Sequence, residues 1–211
     1  MTRGTTRILI ADDHSIVRMG LATLLETEGD LELAGQAANG KTAVEEALRL
    51  KPDVVVMDLL MPVLDGIEAT AAIMGKLPET KIILFTTFPT SDLIAKALGN
   101  GAKGVVFKSA ADTELVTAIR AVASGESYIS PDVAKLLASD PPIDPLTPRQ
   151  REILASIARG LSNSDIAKEL GITPTVVREY TIALFQKLGA ANRTEAVAIA
   201  LRKHLLNVAA G

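Results

Sequence analysis

The chain has 211 residues, 48% of them hydrophobic, with no cysteine, no tryptophan and a formal net charge of −3. It is too apolar for a disordered chain and long enough for one large domain or two small ones; without cysteine, disulfides, thiolate chemistry and cysteine-containing zinc sites are excluded. The first apolar stretch ends at Ala11, too short for a signal sequence, and no segment reaches the roughly 20 apolar residues of a membrane span, so a soluble, cytoplasmic chain with no membrane partner is expected.

Residues 1–130 alternate between two patterns. Short β-branched runs lie at Arg7–Ile10, Leu31–Gly35, Val54–Met57, Ile82–Phe85 and Val105–Phe107. Stretches with helical spacing lie between and after them: Ser15–Glu28, Gly40–Leu50, Asp65–Gly75, Ser91–Gly99 and Ala111–Gly125. Continuous apolar strands alternating with helices predict a parallel sheet covered on both faces, an α/β, (βα)5 doubly wound domain.

Residues 131–145 are expected to form a linker, because three prolines fall within "SDPPIDP" at 139–145 and remove ladder donors and helix. Leu136-Leu137, just before it, are compatible with a short helix from Pro131.

Residues 146–211 form a smaller all-α domain of four helices with clear punctuation. Thr147-Pro148-Arg149-Gln150 is a capping box with proline in the first turn, and that helix runs to about Arg159, before Gly160. A short helix over about Ser164–Leu170 stops at Gly171. Thr173-Pro174 opens the next, which runs to Leu188 before Gly189; Asn192, with Glu195 three residues later, caps a fourth ending near Leu206. The tight "KELGITPTVV" junction between the second and third helices is a helix-turn-helix signature. Charge divides with the domains: −5 over residues 1–130, −2 over 131–145 and +4 over 146–211, so different partners are expected for the two ends.

Ligands of an open parallel sheet bind beyond the carboxyl ends of its strands. The first strand is followed by Asp12 and Asp13, the third by Asp58, the fourth by Thr86 and the fifth by Lys108. Asp12-Asp13 alone could be a turn, and Lys108 alone a solvated edge residue; four strand ends delivering such groups to one rim is a different matter. Three ionised carboxylates repel one another, and a hard divalent cation on oxygen ligands, Mg²⁺, resolves the repulsion. An aspartate beside Mg²⁺, an ammonium and a hydroxyl is suited to attack on phosphorus, giving an aspartyl phosphate at Asp58.

"ILIADDHSIVR", "VVVMDLLMPVLDGIEAT", "ILFTTF" and "GAKGVVFK" resemble the receiver domain of bacterial two-component response regulators. "LTPRQREILASIARGLSNSDIAKELGITPTVVREY" resembles the DNA-binding domain of their NarL/LuxR (FixJ) group. The resemblance covers nearly the whole chain, in family order. It implies that Asp58 accepts a phosphoryl group from a sensor histidine kinase. Mg²⁺ would be held by Asp13, Asp58 and the backbone carbonyl of Leu60, with Asp12 acting mostly through water. Thr86 would follow the phosphoryl group and Lys108 would pair with it. The family often carries a tyrosine or phenylalanine three residues before that lysine, where this chain has Val105. Phe88 and Phe107 read as packing residues, and His14 as a local structural residue.

A helix-turn-helix presents its second helix to the major groove, N-terminal residues against base edges. The expected contacts to double-stranded DNA are Thr173, Thr175, Val177, Arg178, Glu179, Thr181 and Ile182 on that helix, with Lys187 near its end, Lys168 on the supporting helix and Arg193 as candidate contacts to the DNA backbone. Arg178 suits guanine or phosphate, and Glu179 the cytosine amino group. Where the family commonly has Thr-Val-Lys-x-His, this chain has Val176-Val177-Arg178-Glu179-Tyr180. Ala196, Val197, Ala200, Leu201 and Leu205 lie on one side of the last helix, which resembles the family's dimerising helix or serves as ordinary core.

The sequence thus predicts a transcription regulator switched at Asp58 and active as a homodimer. Val105 motivates a phosphorylation-independent alternative. Phosphohydrolases of the haloacid-dehalogenase type place a second aspartate two residues after the nucleophile, and position 60 is Leu, so no multiple-turnover enzyme is expected.

Overall fold

The computed structural model describes residues 5–87, 89–203 and 205–206; Phe88, expected to pack in the first domain, lies outside them. The chain divides into two compact units: the first ends at Asp140, and the second runs from Pro141 and takes in Thr90–Asp92 as well.

In the first unit, six parallel strands form one sheet: β1 (Thr6–Ala11), β2 (Leu31–Ala37), β3 (Val54–Met57), β4 (Lys81–Thr86), β5 (Gly104–Phe107) and β6 (Tyr128–Ile129), in the order β2-β1-β3-β4-β5-β6. The helices are α1 (Ser15–Glu26), α2 (Gly40–Leu50), α3 (Gly66–Met74), α4 (Ser91–Gly99), α5 (Asp112–Ala123) and α6 (Pro131–Ser139). Strand residues alternate between two cores. Leu9, Val55, Met57, Leu84 and Val105 meet α2, α3 and α4 on one face; Ile8, Ile10, Val56, Ile83 and Val106 meet α1 and α5 on the other. Burial on both faces explains why these strands read as unbroken apolar runs. This is the doubly wound sheet expected from the alternation, with one strand more.

That strand, β6, has only two residues, too few for a periodic signal. Its main chain pairs with β5, setting Gly104 opposite Tyr128 and Val105 opposite Ile129. Residues 131–139, expected within the linker, are α6 instead: Ser130 caps the helix, Val133 is fully buried in the first core and Leu136 and Leu137 pack against it. The first unit therefore continues to Asp140. The run of prolines begins at Pro141, directly after it.

The second unit contains α7 (Pro148–Ala158), α8 (Asn163–Leu170), α9 (Pro174–Leu188) and α10 (Arg193–Arg202) around a core of Ile153, Leu154, Ile157, Ile166, Val177 and Leu184. Thr147 and Gln150 make the expected capping box, Thr173 and Asn192 cap α9 and α10 where the sequence starts them, and Ser162, which the sequence did not single out, caps α8. Gly171 ends α8 at φ 64°, a left-handed conformation that glycine adopts without the Cβ clash. The last helix stops at Arg202, short of the expected Leu206, with Lys203 closing its final turn.

Gly66 locks β3 to α3. A Cβ there would stand 2.0 Å from the carbonyl oxygen of Asp58, whereas one on exposed Gly20 of α1 would meet nothing within 4 Å. Gly66→Ala should therefore destabilise the first unit by about 3 kcal/mol, while Gly20→Ala should leave it unchanged or stabilise it by up to about 1 kcal/mol. Denaturant unfolding of the two variants checks the contrast.

Candidate functional site

The parallel register brings the strand ends level. Ala11 pairs with Met57, and Thr86 with Phe107, so the residues that follow leave the sheet at one rim. The main chain holds them there: Asp58 N–H donates to Ala11 at 2.8 Å, Asp12 N–H to Ala37 at 3.1 Å and Lys108 N–H to Thr86 at 2.9 Å. The rim lies where strand order reverses around β1 and β3, the usual ligand crevice of such sheets.

Lys108 Nζ stands between two carboxylates, 2.5 Å from Asp12 Oδ2 and 2.7 Å from Asp58 Oδ2. Asp12 and Asp58 are buried, Asp13 is exposed, and one ligand atom from each of Asp12, Asp13, His14 and Asp58 lies within 4.8 Å of the others. Burial pushes the Asp58 carboxyl above its usual value, and the hydrogen bond from Lys108 only partly offsets this. Burial also opposes charge on Lys108, but its bonds to Asp12 and Asp58 outweigh that and hold the ammonium above its ordinary range. One cation is thus shared by two buried carboxylates with a third beside them. Ionised, the group carries an excess of two negative charges over Lys108, and its donors are mainly carboxylate oxygens. That fits a hard divalent cation such as Mg²⁺.

Thr86 is buried at the end of β4, and Leu60 lies in the turn after β3 with its side chain 54% exposed. Two neighbours add to what the sequence suggested. His14 begins α1: its backbone N–H donates to Asp12 Oδ1 at 2.9 Å, and its ring Nδ1 lies 2.7 Å from Asp13 Oδ1. Arg18, one turn into α1, donates to the Asp12 carbonyl at 2.7 Å. A DDH tripeptide followed four residues later by Arg is the only trace these contacts leave in sequence.

On α9, Thr175, Arg178, Glu179 and Ile182 are exposed, and so is Thr173 at the cap. Lys168 is exposed on α8. Val177 does not belong with them: its side chain is fully buried in the second core, so it cannot contact DNA. Val176 is half-buried. Thr181 is half-buried too and turns its hydroxyl onto the Val177 carbonyl at 2.8 Å. Two expected backbone contacts are engaged within the domain. Lys187 Nζ donates to the Pro145 carbonyl at 2.8 Å, and the Arg193 guanidinium donates to the Ile157 and Leu161 carbonyls at the end of α7. On α10, Ala196 and Ala200 are core residues, Val197 packs beside them, as does Leu205 beyond the helix end, and Leu201 is 43% exposed.

A doubly wound domain with an acidic rim pocket, joined to a helix-turn-helix, defines a class of signalling protein. Residues 8–120 match the "Response regulator receiver domain" and residues 144–200 the "Bacterial regulatory proteins, luxR family". "Transcriptional regulatory protein LiaR" of Bacillus subtilis is 40% identical over 95% of this chain and 99% of its own. "Response regulator protein VraR" of Staphylococcus aureus is 35% identical over 96% of this chain and 99% of its own. Among solved structures, the Salmonella typhimurium RcsB response regulator superposes with a TM-score of 0.74 at 26% identity, over 92% of this chain and 98% of that one. A structure of two RcsB dimers bound to two parallel DNAs matches with a TM-score of 0.71 at 27% identity, over 95% and 99%. The chain belongs to the response regulators of two-component systems, in the group with a LuxR-type helix-turn-helix. It is a DNA-binding transcription regulator, and no helix among the described residues is long and apolar enough to cross a membrane.

Two consequences of the shared ammonium can be measured. Because burial raises the Asp58 pKa, its ionised form costs stability above that pKa and the cost disappears as pH falls below the unfolded value. Asp58→Asn should therefore be more stable than wild type at pH 7 without Mg²⁺, by about 1 kcal/mol, with the gain vanishing toward pH 3. Melting temperatures across that range test the sign. Lys108→Ala leaves two buried carboxylates without their cation and should cost roughly 3–5 kcal/mol at pH 7. Saturating Mg²⁺ should recover part of this loss, and should recover less in Asp13→Ala/Lys108→Ala.

Proposed function

We propose that this regulator is switched by phosphorylation of Asp58 from a sensor histidine kinase and binds operator DNA as a homodimer. The observation that carries the reading is the placement of Lys108 between Asp12 and Asp58, with Asp13 alongside. Asp58 presents a carboxylate oxygen for in-line attack on phosphorus as the bond to the donor's nitrogen breaks. Lys108 then exchanges its contact with the Asp58 carboxylate for one with a phosphoryl oxygen, and the Thr86 hydroxyl follows the group inward. Asp12, Asp13, Asp58 and the Leu60 carbonyl would hold Mg²⁺, which supplies neutralisation of phosphoryl charge. Phosphorylation would shift a balance of receiver conformations and favour dimers on paired half-sites. The RcsB dimers on DNA and the exposed Leu201 support the dimer, and the exposed first turns of α9 support the groove contact.

One observation favours a second reading. Val105 is fully buried among aliphatic neighbours in β5, so the inward-swinging aromatic of the family has no counterpart at that position. The regulator would then bind DNA without needing phosphate at Asp58.

Incubation with Mg²⁺ and a small phosphodonor should add one phosphate to wild type and none to Asp58→Asn, read by intact mass. Operator affinity separates the two readings. A rise of about ten-fold or more on phosphorylation of wild type alone supports the switch; equal affinity for wild type and Asp58→Asn, with or without donor, supports the second reading.

A further inference from the structure

The core of the second unit fixes which side of α9 faces outward. Val177, Leu184 and Leu188 are buried, and Thr181 and Phe185 are half-buried beside them. At about 100° per residue, the opposite side carries Thr175, Glu179, Ile182 and Gln186. All four are exposed. Arg178 lies on one flank, about 40° from Ile182 and about 100° from Glu179, and Tyr180 and Lys187 lie on the other. The stripe that a recognition helix turns to the groove floor therefore holds no cation. The charged side chain in its first two turns is the carboxylate of Glu179, which makes no ion pair among the described residues.

A carboxylate on that stripe is repelled by phosphates and by the O6 and N7 acceptors of guanine. In the major groove it can be satisfied only by an exocyclic amine, and cytosine N4 is the donor that a carboxylate reads. Ile182, 49% exposed, follows three residues on, about 4.5 Å along the helix axis against a rise of about 3.4 Å per base pair, so it reaches past the pair that Glu179 meets. An aliphatic side chain there complements the thymine methyl. We infer that Glu179 is a specificity-determining residue of this regulator. It selects a C·G pair by accepting from cytosine N4, while Ile182 reads a thymine methyl in a neighbouring pair. Arg178, off the stripe, holds the backbone. The inference rests on the DNA-binding reading above and names what that surface recognises.

The test is selection of double-stranded sites from random DNA by the full chain, with and without a small phosphodonor, for wild type, Glu179→Gln and Ile182→Ala. Glu179 is exposed, so Glu179→Gln should melt with wild type, which controls for folding. Wild type should enrich cytosine at one position of each half-site. Glu179→Gln should lose that preference, gain adenine at the same position, and bind the wild-type consensus about ten-fold more weakly. Ile182→Ala should relax the thymine preference next to it and leave the cytosine intact. An unchanged preference in Glu179→Gln overturns the inference. So does uniformly tighter binding to all sequences, which would place Glu179 against phosphate. If wild type enriches no sequence at all, the DNA-binding reading of this surface fails along with it.

Discussion

A single ammonium shared by Asp12 and Asp58 is the constraint on which the first unit turns. These three groups come from β1, β3 and β5, and no short segment could bring them together. They meet because a parallel sheet aligns its strand ends and the backbone ladder sets the register. Gathering carboxylates in a buried crevice opposes folding, and Lys108 relieves only part of the repulsion. The remaining negative charge makes the pocket receptive to a divalent cation and keeps Asp58 in a strained electrostatic setting. The β3–α3 turn reflects the same demand for space. Gly66 lets the Asp58 carbonyl approach closely, and Val63 sits at φ 72°, a left-handed conformation costly for a β-branched residue.

The strand that delivers Lys108 also carries the end of the first unit. Val105, three residues earlier in β5, accepts the Ser130 N–H at 3.0 Å, and Ser130 caps α6. A main-chain path thus runs from the acidic pocket through β5 and β6 to the helix that ends at the unit boundary. It does not involve an aromatic side chain at position 105. Backbone hydrogen bonds and the burial of Val133 fix it instead.

In the second unit, cation count is a poor guide to the DNA-facing surface. The segment from 146 carries a net +4, yet Arg193 and Lys187 direct their charges to carbonyls inside the domain. The helix-turn-helix itself rests on caps and a left-handed glycine rather than on charge. The caps fix where α9 begins, and the packing of Val177, Leu184 and Leu188 into the core fixes which of its side chains remain outside.

By itself, the sequence determined the order and type of nearly every element, because strand and helix periodicities and cap residues act locally. It also determined which polar residues follow which strands, and that is enough to nominate Asp12, Asp13, Asp58, Thr86 and Lys108. Local pattern could not assign Val177, since one turn of helix separates a core valine from a groove-facing residue and only packing decides between them. Nor could it show β6 and α6 as part of the first unit: a two-residue strand has no period, and a short helix before prolines looks like linker until Val133 finds its core. Tertiary structure alone decided that Lys108 bridges Asp12 and Asp58, because that contact joins residues far apart in the chain through the geometry of the whole sheet.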